Sequence, residues 1–218
     1  MNTDRMKSLL MELCSVPSIS ETPGEIEMAE KIYEIIMRMD YFKNNPNNTC
    51  MNPIKNDPFG RYYVHALMEG ESGCKKTVVL LSHFDVVNAE DYGAYKEYAF
   101  KPLEYTELLK KGSGISLSKE AEIDLASGDY IFGRGIMDMK YGLALDVEIM
   151  YQMENNLDHF PGNILLLSVP DEENNSAGML AAVDMLAKLK REKGLEYVCC
   201  IVSEPHFPKY PGDDNKYI

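Results

Sequence analysis

Four short segments of this chain place an imidazole or a carboxylate where a strand would end or a helix begin. The run Val78-Val79-Leu80-Leu81-Ser82 stops at His83-Phe84-Asp85, and Gly133-Arg134-Gly135 leads to Asp138-Met139-Lys140. Leu165 to Pro170 leads into Asp171-Glu172-Glu173, and Cys200-Ile201-Val202-Ser203 ends in Glu204-Pro205. Taken singly, each has an ordinary reading: a structural histidine, a helix N-cap, a solvated acidic pair. Together they put acids and one imidazole at the same kind of position in successive elements. Anions gathered in that way repel unless something offsets them, and a divalent cation is the simplest offset. Imidazole nitrogen with carboxylate oxygen, and no cysteine among them, suits zinc or a similar ion. His83 and Asp85 lie two apart on an extended segment and can share a side of it. Asp85 could then accept the other ring N–H of His83. Glu172 and Glu173 are neighbours whose side chains diverge, so one can bind a metal while the other faces a reacting water.

These groups need a scaffold, and hydrophobic patterning supplies one. Apolar runs at 62–67, 77–82, 163–169 and 197–202 have the length of buried strands, with helical patterns at 140–155 and 176–192 between the later ones. That alternation predicts an α/β layered domain with a mostly parallel sheet, in which sites form where strands give way to loops. Thr22-Pro23-Gly24-Glu25 reads as an N-cap, a proline at the first helical position and a capping-box glutamate, opening an amphipathic helix from Ile26 to Met39. Residues 44–58, rich in Asn and Pro, read as loop. Gly112-Ser113-Gly114 meets neither dinucleotide nor P-loop spacing and reads as a turn.

The chain has 218 residues, 35 acidic against 22 basic, and a formal net charge of −13. That balance argues against a nucleic-acid partner, which needs a basic surface. No apolar run approaches the roughly 20 residues of a membrane helix, and the N-terminus lacks the apolar centre of a signal peptide. Five cysteines without paired spacing point to a reducing, cytoplasmic setting, with adjacent Cys199 and Cys200 expected as buried strand thiols.

The stretches LLSHFDVV, GRGIMDMKYG, VPDEENNSAG and VSEPHFP, in this order, resemble the zinc-dependent family of aminoacylase, acetylornithine deacetylase, succinyl-diaminopimelate desuccinylase and glutamate carboxypeptidase. AFKPLEYTELL and the span between Asp85 and Gly133 are most similar to its arginine-utilisation (RocB-type) branch. The resemblance implies a three-layer αβα zinc-exopeptidase-like catalytic domain. It implies that His83, Asp138, Glu173 and Glu204 bind two Zn2+ ions, with Co2+ or Mn2+ as possible substitutes. Asp138 would bridge the pair and be followed by a cis peptide; His83 and Glu204 would serve the first ion and Glu173 the second. Asp85 would stand behind His83, and Glu172 would act as general base on a small peptide or N-acyl amino acid. Tyr141 departs from the glycine often found at its position.

The family pattern also includes a lid or dimerisation domain, the remainder of the catalytic domain and a second metal-binding histidine. The expectation is therefore that residues 1–218 form an N-terminal portion, with any homodimer made through the absent domain, and with poor solubility in isolation. The only histidines are His65, His83, His159 and His206, and His206 reads as a loop residue. The competing expectation is a non-catalytic fragment that binds at most one metal tightly.

Overall fold

The computed structural model describes residues 1–70, 72–112 and 114–205. In chain order the elements are α1 (Thr3–Cys14), α2 (Gly24–Ile36), α3 (Asp40–Asn44), β1 (Thr49–Pro53), β2 (Tyr62–Glu69) and β3 (Lys76–His83). After them come α4 (Pro102–Lys110), α5 (Lys119–Ser127), α6 (Tyr141–Glu154), β4 (Asn163–Val169), α7 (Ala177–Lys193) and β5 (Glu196–Val202). The strands form one sheet in the order β1-β2-β4-β3-β5. Strands β3, β4 and β5 are parallel, and β2 runs against both β4 and β1. Four of the five strands therefore point the same way, as the α/β reading requires.

Helices cover both faces. On one, α1, α2 and α6 bury Leu13, Met28, Ile32, Ile36, Leu143 and Val147 against alternate strand residues such as Ala66, Leu80 and Leu166. On the other, α7 packs Ala182 and Met185 against Leu67, Val79, Leu165 and Leu167. Every residue of β4 is buried, which is why its sequence is a continuous apolar run with no alternation.

Several local expectations need correction. Residues 44–58 are not all loop: Thr49–Pro53 form β1, where Thr49 donates its hydroxyl to the His65 carbonyl. Tertiary pairing with β2 recruits a segment whose composition alone disfavours a strand. Helix α2 starts at Gly24 after Pro23, without a side-chain cap. Glu25 does reach back, but to the N–H of Glu21 at 2.7 Å and not to Thr22, and it is fully buried. Cys199 and Cys200 are exposed, because β5 is an edge strand with most of its residues uncovered. Gly112 and Gly114 both have positive φ, as a turn requires, while Ser113 between them lies outside the described residues. No helix among the described residues is long and apolar enough to cross a membrane.

Candidate metal centre

The three adjacent parallel strands end at the same edge of the sheet. In the centre β3 finishes on His83; on one side β4 runs out into Asp171-Glu172-Glu173; on the other β5 runs out into Ser203-Glu204. Asp138 arrives from the wide turn of Ile136–Lys140 that precedes α6. Within it the Asp138–Met139 peptide is cis, and Met139 is buried with its sulfur accepting the backbone N–H of His83. Gly135 opens this turn at φ 71°, and a Cβ there would lie 2.6 Å from a methyl carbon of Val86, so only glycine fits.

His83 is 2% exposed. Its Nε2 stands 3.1 Å from Asp138 Oδ1, 3.1 Å from Glu204 Oε1 and 3.7 Å from Glu172 Oε2. Donor atoms in a tetrahedral site with bonds near 2 Å lie about 3.3 Å apart, so these separations are those of ligands to one ion. Two sets of three donors fall within 4.8 Å of one another: His83 with Glu172 and Glu204, and His83 with Asp138 and Glu173. This grouping differs from the implied one, which set Glu204 beside Asp138 and kept Glu172 apart. The Asp138 and Glu172 side chains are about half exposed and can reorient, whereas His83 cannot. The residues present thus fit a small divalent cation in number, chemistry and spacing.

Asp85 is wholly buried and works as a hub. Its carboxylate accepts the N–H groups of Glu172 at 3.0 Å and Glu173 at 3.2 Å, and the hydroxyl of Ser20 at 2.7 Å. The expected bond from His83 is shared: Nδ1 lies 3.1 Å from the Asp85 carbonyl and 3.4 Å from its carboxylate. Either acceptor leaves Nε2 facing the acids. Burial opposes protonation of His83, but the Asp85 and Glu204 carboxylates outweigh it and push its pKa up to about 11. Oxygens that hold a proton on that nitrogen would equally favour a metal cation beside it. Burial also raises the pKa of Glu172 and Glu173, and Asp138 and Asp85 add to the rise. Asp85 moves the other way: despite burial, its bonds from His83, Ser20 and the Glu172 N–H keep it ionised.

A cavity of about 410 Å³ lined by Val87, Arg134, Gly135, Met137, Asp138 and Glu173 opens onto the cluster. The motif readings assigned no role to Ser20, Arg61, Asp146 or Ser203. Ser203 donates to Asp146 on α6 at 2.7 Å, which anchors the residue before Glu204. Apart from Asp57, four residues before Arg61, their partners lie tens of residues away, so nothing local marks them. His206 lies outside the described residues.

An α/β domain whose parallel strands end in a histidine ringed by carboxylates has the build of a metallohydrolase catalytic domain. Residues 116–213 match the family model described as peptidase family M20/M25/M40. Two Bacillus subtilis proteins are similar over almost the whole chain: YqjN, 39% identical over 98% of this chain, and RocB, 34% identical over 99% of it. The chain spans 38% of the length of each. The M20 family metallo-carboxypeptidase Sso-CP2 of Sulfolobus solfataricus shares the fold with a TM-score of 0.62 at 20% identity, over 95% of this chain and 38% of that one. The chain carries a peptidase M20 family domain.

Proposed function

We propose that this chain supplies most of the metal centre of a hydrolase that cleaves an amide bond in a small peptide or N-acyl amino acid. The observation that carries the reading is the His83 Nε2 atom, 3.1 Å from carboxylate oxygens on two different elements. His83, Asp138, Glu173 and Glu204 would hold zinc, or cobalt or manganese, which accept the same donors. A bound ion of this kind supplies Lewis-acid polarisation of a carbonyl and acidifies water.

Glu172 is the general base. It takes a proton from the attacking water, whose oxygen bonds to the amide carbon, and returns it to the nitrogen as the carbon–nitrogen bond breaks. Burial, with the Glu204, Asp85 and Asp138 carboxylates, raises its pKa above the usual carboxylate range, the direction that helps a base take a proton from water. Asp85 orients His83 and, through two backbone N–H groups, the pair of glutamates. Two ions are expected in the whole protein. Both donor groups here draw on the single imidazole of His83, so the 218-residue chain is expected to hold one ion tightly. The similarity to RocB supports a place in arginine utilisation.

The test is elemental analysis of the purified chain after zinc loading and dialysis, beside a His83→Ala variant. About one zinc per chain in the wild type and none in the variant supports the reading. Equal zinc in both removes the centre, and with it the hydrolase.

A further inference from the structure

We propose that Arg61 is a positioning residue for the Glu172–Glu173 pair, acting through Asp171; the proposal rests on reading those glutamates as base and cation ligand. The antiparallel register of β2 with β4 pairs Val64 with Ser168. Continued three residues further, it sets Arg61 beside Asp171 at the edge where the metal centre lies. There the guanidinium, 3% exposed, makes a three-way clamp. One nitrogen donates to Asp171 Oδ1 at 2.7 Å and to Glu25 at 3.3 Å. The rest of the fork grips Asp57, with Nη2 at 2.7 Å and Nε at 3.1 Å from its oxygens.

Asp171 is 1% exposed and sits at φ 71°, the left-handed region that a non-glycine residue enters only when held there. Its carbonyl accepts the Ser176 N–H and its Oδ2 accepts the Ala177 N–H at the start of α7, closing the loop that carries both glutamates. The glutamates are thus strung between two buried carboxylates: Asp85, which holds their N–H groups, and Asp171, which sets the backbone before them. Without a cation beneath it, Asp171 would be an uncompensated buried charge. The planar fork presents separate nitrogens to Asp57 and to Asp171, whereas a lysine ammonium must offer all its donors from one atom. None of the described hydrogen bonds of Arg61 goes to Glu172 or Glu173, so its effect on the centre is transmitted by backbone geometry.

The test titrates zinc into the chain against a chromogenic chelator, with the visible spectrum of the cobalt-loaded protein as a second readout. Arg61→Lys and Asp171→Asn are compared with wild type and with Arg38→Lys, which alters only an exposed pair with Glu12. Folding is checked by circular dichroism and a cooperative thermal transition. Folded Arg61→Lys or Asp171→Asn is expected to bind zinc about 10- to 100-fold more weakly, as supporting partners of metal ligands do, with altered cobalt bands and no change for Arg38→Lys. Folded variants that bind within twofold of wild type overturn the proposal. So does failure of both variants to fold, which assigns the clamp to folding alone. If the wild type itself binds no zinc, the reading of the whole centre falls, a result distinct from a wild type that binds and variants that match it.

Discussion

His83 and Glu172 illustrate how far a residue's task depends on its surroundings. The imidazole is buried, its Nδ1 faces the Asp85 carbonyl, and its Nε2 faces acids from two other elements. Glu172 is half exposed and lies 3.7 Å from that nitrogen, close enough to reach a water at the centre without being locked into it. If it is the base, Glu172→Ala in the whole protein lowers kcat by about 10²- to 10⁴-fold while zinc content stays near that of the wild type. Metal analysis beside steady-state hydrolysis of N-acyl amino acids separates these effects. Loss of zinc in proportion to activity would make Glu172 a ligand, a role its place in the His83–Glu204 group also allows.

The elements bring the ligands together by close approach. A Cβ on Gly142 of α6 would lie 2.2 Å from the Ser203 carbonyl oxygen, so the helix and the end of β5 meet only because that residue is glycine. Gly142→Ala should cost about 1–3 kcal/mol of stability, as overpacking does, and should weaken zinc binding by moving Glu204. Melting curves and zinc titration would reveal it, and unchanged values for both would mean that the contact is soft.

One turn further along α6, Asp146 is buried with one oxygen bonded to Ser203 and the other unpaired. Burial pushes its pKa up to about 7, and that of Glu25 likewise to about 7. A carboxyl whose folded pKa is raised keeps its proton where the unfolded chain has lost it, so its stabilisation is full at low pH and falls as pH rises towards 7. His65, lowered to about 4 by burial, acts in the opposite sense between about 4 and 6.5. His83, raised to about 11, contributes no slope below 6.5. Asp146 and Glu25, joined by Glu172 and Glu173, whose pKa values are raised in the same direction, oppose one histidine between pH 4.5 and 6.5. Asp146→Asn removes one of these acids, and its thermal midpoint in chelator should vary less with pH over that window than the wild type's. A slope equal to or steeper than that of the wild type would contradict the assignment.

At the scale of the molecule the two sides of the sheet are unequally finished. Both β1 and β5 are edge strands, but β1 is partly covered whereas β5 exposes Val198, Ile201 and Val202, each about half accessible; Leu180 and Val183 of α7 are exposed as well. An apolar edge strand with free backbone groups is a template for pairing with another chain. The isolated 218-residue chain is therefore expected to self-associate through β5. Light scattering after size-exclusion chromatography should give masses above that of a monomer at micromolar concentration. Ile201→Lys should shift the population towards monomer; a wild type that is monomeric throughout would rule this out.

The sequence by itself determined the class of fold and the identity of the residues that meet at the sheet edge. Apolar runs that end in His83, in Glu172-Glu173 and in Glu204 carry both facts at once: period and length define the strands, and parallel strands in one layer must deliver their last residues to the same side. What the sequence left open was decided by partners distant along the chain. β1 exists because β2 offers it a ladder; Glu25, which reads as a helix cap, is drawn to Arg61; and Cys199 and Cys200 are exposed because, among the described residues, no element covers β5. The clamp on Asp171 and the bond from Ser203 to Asp146 are of the same kind. Local pattern encodes which face of an element is apolar, but only packing decides which buried charges meet and which edges stay open.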